Sequence, residues 1–360
     1  MTKNVYIHIP FCSAKCKYCS FISFSKLDLK RQYLDVLKQE IKHFYKGEKL
    51  STLYFGGGTP SVLSPSEFLE IISLFNIDEN TEITSELNPE NISENYLKEL
   101  KNMGINRISF GCQTFDDEIL KLIGRRHNSK DVENSVKFAQ KVGFNNISLD
   151  FIYGLPNQTL EMFEKDLNHA ISLEINHISL YGLKIDEGCY FYKNMPKDLP
   201  DEDAQADMYL SAIKICKENN FEHYEVSNFS KKGFNSRHNL NYWDNNSYYG
   251  FGVSAHGYQN GCRYFNTSDL DKYLKNPFER ENSHKLSMQE QLEEEIFLGF
   301  RKGEGINIEE INKKFDINFE ERYSKILKKY SDLLNKTQNG YKLSDGGILV
   351  SNLILSEFLD

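Results

Sequence analysis

The stretch Asn4–Phe21, NVYIHIPFCSAKCKYCSF, decides how the chain is read. It begins as an apolar run ending at Ile9, the pattern of a buried strand. It then leads directly into Cys12, Cys16 and Cys19, spaced C-x3-C-x2-C. Three thiols so close together need a reason beyond the packing of small buried side chains. The other four cysteines, Cys112, Cys189, Cys216 and Cys262, are scattered and fit that ordinary role. An odd total of seven in a 360-residue chain is not a disulfide framework. In a reducing compartment a tight thiol group binds metal. Zinc wants a fourth ligand, normally as a second pair, and no second pair is present. An iron–sulfur cluster also normally takes four thiolates. Three leave one iron open to a small chelating molecule.

Composition bounds the setting. Hydrophobic residues at 39% and charged residues at 26% are ordinary globular usage, enough for a large α/β domain and a smaller one. No apolar run is long enough to span a membrane. The N-terminus lacks the basic-then-apolar pattern of a signal peptide, so the expected location is the cytoplasm. A net charge of −9 argues against a nucleic-acid partner.

Working outward, strand and helix patterns alternate. Asn4–Ile9 reads as a strand. In DLKRQYLDVLKQEIKHFYK the apolar positions Tyr33, Leu34, Leu37, Ile41 and Phe44 fall at helical spacing. STLYFGGGTPS is a strand running into three glycines, and SPSEFLEIISLF is a helix with a Ser-Pro start. TEITSELNP, INRISFGCQ, NISLDFIYGLP and NHISLYGL are four further strands. The helices between them include two that end at Gly104 and Gly143. Six strands alternating with helices imply a parallel sheet with right-handed crossovers, closed into a barrel or partial barrel. Functional residues of such barrels lie at the carboxyl ends of the strands. There the sequence places Cys12, Gly56, Gly57, Gly58, Thr59, Glu86, Gln113, Asp150 and Lys184, while the strand bodies read as apolar.

The three cysteines with Tyr18 and Phe21 at the aromatic positions resemble the signature of the radical SAM family. The resemblance implies a [4Fe–4S] cluster on Cys12, Cys16 and Cys19. Its open iron is chelated by the amino and carboxylate groups of S-adenosylmethionine (SAM), and one electron from the reduced cluster releases a 5′-deoxyadenosyl radical. It also implies an α/β fold, an open (β/α)6 partial TIM barrel. YIHIPFC, FGGGTPS, SFGCQTFDDEILKLIGRRH and DFIYGLPNQT are similar to the branch that holds oxygen-independent coproporphyrinogen III oxidase and the heme chaperone (HemW) family. By that resemblance Tyr6, Tyr18, Gly57, Gly58, Thr59, Glu86, Gln113, Arg125, Asp150, Lys184 and His256 surround SAM.

Three features favour the heme chaperone family over the oxidase. The oxidase has a cysteine two residues after the third ligand, where this chain has Phe21. The oxidase has an N-terminal extension before the first strand, which here starts near residue 4. SRHNLNYWDNNSYYGFGVSAHGY carries the H-N-x-x-Y-W element His238, Asn239, Tyr242 and Trp243. An imidazole is a common axial ligand of heme iron, and the two aromatic rings offer faces for a porphyrin. A core aromatic cluster with His238 hydrogen-bonded inside it is the plainer alternative. His8 also reads as a buried, hydrogen-bonded histidine.

The expected layout is a radical SAM barrel over 1–182, a barrel-closing extension over 183–285, and a small winged-helix-like α+β domain over 286–360. Winged helices often bind DNA, but acidic residues outnumber basic ones in this one, which points to a cap or protein-contact module. A charged link, PFERENSHKL, precedes it, and GYKLSDGGILVSN reads as its hairpin. The resemblance implies a radical SAM heme chaperone carrying heme as cargo to a hemoprotein, with an electron donor such as a flavodoxin or ferredoxin. Peripheral membrane association is left open. The alternative is oxygen-independent coproporphyrinogen III oxidase, a radical decarboxylase; that activity is not expected here.

Overall fold

The computed structural model of the chain describes residues 2–90 and 92–359. Six parallel strands run in chain order: β1 (Asn4–Ile9), β2 (Thr52–Gly57), β3 (Glu82–Leu87), β4 (Arg107–Gln113), β5 (Ile147–Tyr153) and β6 (His177–Gly182). Parallel neighbours need crossover connections. Those include helices Lys30–Phe44, Pro65–Ile72, Glu94–Asn102, Ser129–Lys141 and Leu160–Ser172. Two of them start in capping boxes, Ser64 with Glu67 and Asn128 with Asp131. β1 and β6 do not pair with each other. The architecture is therefore the open (β/α)6 partial barrel that the sequence implies.

Each strand has two unlike faces. Ile108, Phe110 and Cys112 of β4, Leu149 and Phe151 of β5, and Ile178 and Leu180 of β6 are buried in the main core. Burying such a side chain fully contributes about 1.5–3 kcal/mol. The alternate residues face inward and are mostly polar: Arg107, Ser109 and Gln113, then Ser148 and Asp150, then His177 and Ser179. A closed eight-stranded barrel fills its interior with branched apolar side chains. This one keeps its interior polar and partly hollow.

The expected closure of the barrel's open side takes a different form. β7 (Glu222–Glu225) and β8 (Asn228–Ser230) continue the sheet beyond β6 in antiparallel fashion, while β9 (Tyr249–Phe251) joins β1 in parallel. Between them the helix Arg237–Trp243 lies against the amino ends of β1, β2 and β3. Its Asn241 Oδ1 accepts from Asn4 Nδ2 at 2.5 Å, and the backbone N–H groups of Arg237 and His238 donate to the Glu82 carboxylate at 3.0 Å. A carboxylate at a helix N-terminus is a favourable pairing.

A three-stranded sheet follows, β10 (His256–Gln259), β11 (Cys262–Phe265) and β12 (Glu281–Lys285). β12 corrects the reading of PFERENSHKL as a link. It is an exposed edge strand, and charged side chains are how edges stay soluble.

The C-terminal unit has its own core, including Ile296, Phe300, Phe319, Ile354 and Phe358. Its sheet runs β13 (Ile306–Asn307), β15 (Gly340–Leu343), β14 (Leu334–Lys336). The hairpin is shorter than the sequence reading, because the Ser344 side chain accepts from Gly347 N–H and starts a helix over Asp345–Leu349. This unit docks on the extension through Val226 N–H to Arg301 O and Gly303 N–H to Tyr224 O, both 2.8 Å. No helix among the described residues is long and apolar enough to cross a membrane.

Candidate cofactor-binding site

The loop after β1 carries all three motif cysteines. Its backbone is pinned on both sides: Cys12 N–H donates to Phe24 O at 3.1 Å, and Lys17 N–H donates to Ile123 O at 2.9 Å. Phe191 N–H donates to Lys17 O at 2.9 Å, and Ile123 and Phe191 belong to a small apolar cluster packed against Tyr18. The three thiols are half-exposed and line one cavity of about 760 Å³. Thr59 Oγ1 donates to Cys12 Sγ at 3.3 Å, and Arg125 Nη1 donates to Cys16 Sγ at 3.6 Å. Burial first, and then the neighbouring thiols, push the Cys19 thiol up. Three thiols on one short loop, beside a fixed guanidinium, fit a cationic iron–sulfur centre bound as thiolates. Among the described residues no three His, Cys, Asp or Glu side chains converge on a single ion. A cluster does not ask for that, since each thiolate takes a different iron.

The carboxyl ends of the strands supply the rest of the wall. Of the residues expected around SAM, Tyr18, Gly57, Gly58, Thr59, Glu86, Gln113, Arg125, Asp150 and Lys184 line this cavity. Arg125 is fixed by Gly111 O at 2.6 Å and by Asn88 Oδ1. Tyr54 O–H donates to Glu86 at 2.8 Å, and Gly57 N–H donates to it at 3.3 Å. Burial, and to a lesser degree the Asp150 charge, raise the Glu86 carboxyl to about 7. Asp150 accepts from Ser109 at 2.7 Å, and burial raises it too. Two carboxyls on the cavity wall, with only hydroxyl and amide donors, can hold the cationic or hydroxyl groups of a ligand.

The glycines have a second reason to be there. A Cβ on Gly57, whose φ is +113°, would stand 2.7 Å from the His8 ring, and one on Gly58 would stand 2.8 Å from Phe11 O. They let β2 close against the cysteine loop as well as expose backbone to the cavity.

Two expected residues stand apart. Tyr6 stacks on Tyr54 and donates its hydroxyl to His8 Nδ1, 3.1 Å away, outside the cavity lining. His256 is exposed on β10 with its ring against Phe265. His8 is buried and hydrogen-bonded, with Ile22 O at 3.0 Å from its other nitrogen.

The His238 element is also not where an open heme ligand would be. His238 is 1% exposed. Its Nδ1 meets Thr52 Oγ1 at 2.7 Å and its Nε2 meets the Tyr242 hydroxyl at 2.8 Å, and its ring stacks on Tyr54. Thr52 spends its proton on Asn4 Oδ1, so His238 is the Nδ1–H tautomer and its Nε2 lone pair accepts from Tyr242. In this conformation both nitrogens are taken, the arrangement of the plainer alternative in which His238 is hydrogen-bonded inside an aromatic cluster. Of the element, Asn239 alone lines the cavity; Trp243 faces Arg301 of the C-terminal unit, 5.7 Å from ring to guanidinium.

Several wall residues carry no motif and were missed from sequence: Arg107, Ser109, Ser179 and Tyr181. The signal was present as a period-2 alternation of polar with apolar residues inside strands read as wholly apolar.

Comparison with known proteins places this geometry. The model of the radical SAM superfamily matches residues 6–170, and that of the HemN C-terminal domain matches 286–350. The heme chaperone HemW of Lactococcus lactis is 39% identical over 99% of this chain and 97% of its own length. That of Bacillus subtilis is 37% identical over 99% of both. The chain belongs to the heme chaperone HemW family of radical SAM proteins. The fold is also that of coproporphyrinogen III oxidase from Escherichia coli, with a TM-score of 0.87 over 99% of this chain and 89% of that one, at 23% identity.

Proposed function

We propose that this chain is a cytoplasmic radical SAM heme chaperone. Cys12, Cys16 and Cys19 hold a [4Fe–4S] cluster. Glu86, Gln113, Arg125 and Asp150, with the Gly57–Thr59 backbone, hold SAM beside it. The chain binds heme as cargo for a hemoprotein and takes electrons from a small donor protein. The observation that carries the reading is that the three thiols and nine of the expected SAM residues line one cavity. When bound, cluster and SAM together supply one-electron chemistry. The chain's own residues bind and orient: Arg125 stands beside Cys16 Sγ, Glu86 and Asp150 offer acceptors, and the apolar cluster holds the loop through Tyr18.

Heme titration of the anaerobically reconstituted protein tests the cargo role, followed by transfer to an apo-hemoprotein. Saturable one-to-one binding and transfer support it; no uptake removes it. An assay of coproporphyrinogen III with reductant and SAM separates it from the decarboxylase alternative, and no turnover is expected.

A further inference from the structure

The barrel interior holds one arginine that the chain itself does not satisfy. Arg107, the first residue of β4, is 2% exposed and lines the cavity. No hydrogen bond or ion pair to its guanidinium forms within the described residues, and its Nε is sealed without a partner. Other, partly buried arginines are saturated. Arg280 pairs with Glu40 at 2.7 Å and also reaches Asn266, and Arg125 has the partners given above. Glu86 and Asp150 feel the Arg107 charge only as one of the lesser influences on their acidity, and neither stands within ion-pair range. Desolvating a cation without a partner is costly, so folded proteins seldom keep one unless a ligand completes it. A guanidinium presents its donors as a planar fork that matches a carboxylate.

The location says which carboxylate. From Arg107 to Gln113 the strand climbs about 20 Å, at ~3.3 Å per residue. The cysteines and Arg125 belong to the Gln113 end. The anion met by Arg107 is thus not one chelated at the cluster. The hydroxyls of Tyr54 and Ser109 on the same wall are spent on Glu86 and Asp150, which leaves the Arg107 fork as the free donor there, and the wall also carries the exposed apolar groups Tyr181 and Leu349. An unpaired arginine on a wall that also carries apolar side chains suits a flat apolar molecule with an acid at its edge.

We propose that Arg107 receives a propionate of a porphyrin lodged in the half of the cavity away from the cysteines. This rests on the heme reading above. The test titrates heme and heme dimethyl ester into reconstituted wild-type protein, Arg107→Met and Arg107→Lys. Arg107→Met should bind heme roughly tenfold or more weakly, the loss of a charge-assisted pair. Arg107→Lys should fall between, having the charge without the fork. The ester should bind wild type more weakly than heme does, and be indifferent to the substitution, with iron content unchanged throughout. Equal heme affinity in all three proteins, or an ester that loses as much as heme on substitution, overturns the proposal and leaves the heme reading standing. If wild type takes up neither heme nor ester, the heme reading itself fails and the proposal goes with it. Should Arg107→Met not fold, wild type alone decides: equal affinity for heme and ester overturns the assignment.

Discussion

His238→Ala should unfold the protein more easily rather than strip it of an iron ligand. The substitution removes two buried hydrogen bonds, to Thr52 and Tyr242, and the ring that stacks on Tyr54. Thr52 keeps its bond to Asn4, but the Tyr242 hydroxyl loses its acceptor. Unsatisfied partners and the void together cost about 3–5 kcal/mol. Urea unfolding followed by Trp243 fluorescence measures this as a lowered midpoint at unchanged slope. A pH series adds a second readout. Burial lowers the His238 pKa from 6.5 to about 3, so the folded protein keeps it neutral where the unfolded chain protonates it. That contribution is fully present above pH 6.5 and is lost as pH falls through the window from 6.5 to about 3. The stability advantage of wild type over His238→Gln, which cannot titrate, should shrink there by about 1.4 kcal/mol per pH unit. A His238→Ala protein as stable as wild type, with a shifted or absent heme Soret band, would show that the imidazole serves the iron and refute the structural role.

Glu86→Gln and Asp150→Asn should each weaken SAM binding by about 1.5–3 kcal/mol, the value of a charge-assisted hydrogen bond, as measured by calorimetry. Because Glu86 titrates at about 7, wild-type affinity should rise as pH climbs through neutrality, and Glu86→Gln should flatten that rise. Unchanged affinity in both variants would place SAM elsewhere. Replacing Cys112, Cys189, Cys216 or Cys262 by Ala should leave the iron content unchanged, since none of them lines the cavity. Deleting 286–360 should spare the cluster but weaken heme binding, because that unit contributes Ile348, Leu349 and Ser351 to the cavity wall. A soluble truncated protein that takes up no iron would overturn that division of labour.

The barrel was legible because its outward faces and helix stops are local patterns. Ile108, Phe110, Leu149 and Phe151 announce strands, and Gly104 and Gly143 end helices with φ of +96° and +89°. The upper half of the cavity was legible because strand ends concentrate polar residues. Its lower half was not. Arg107 and Ser109 alternate with apolar neighbours, and only the curvature of the sheet decides whether that polar face meets water, a helix or a ligand. The two readings of His238 stayed open in the sequence for a related reason: Tyr242 is four residues on, but the second partner, Thr52, lies 186 residues away and no local pattern shows it. The C-terminal hairpin was overextended because GGILVSN has strand-like composition, while the Ser344 cap that makes it helical is a single side-chain contact.

The most direct measurement is electron paramagnetic resonance of the reduced, anaerobically reconstituted protein with and without SAM, beside iron and sulfide analysis. A full [4Fe–4S] complement is expected, with a signal whose g-values shift when SAM is added, and with the complement lost in Cys12→Ala, Cys16→Ala and Cys19→Ala. Iron that persists in those variants, or a cluster signal indifferent to SAM, would contradict a cavity built around an open iron.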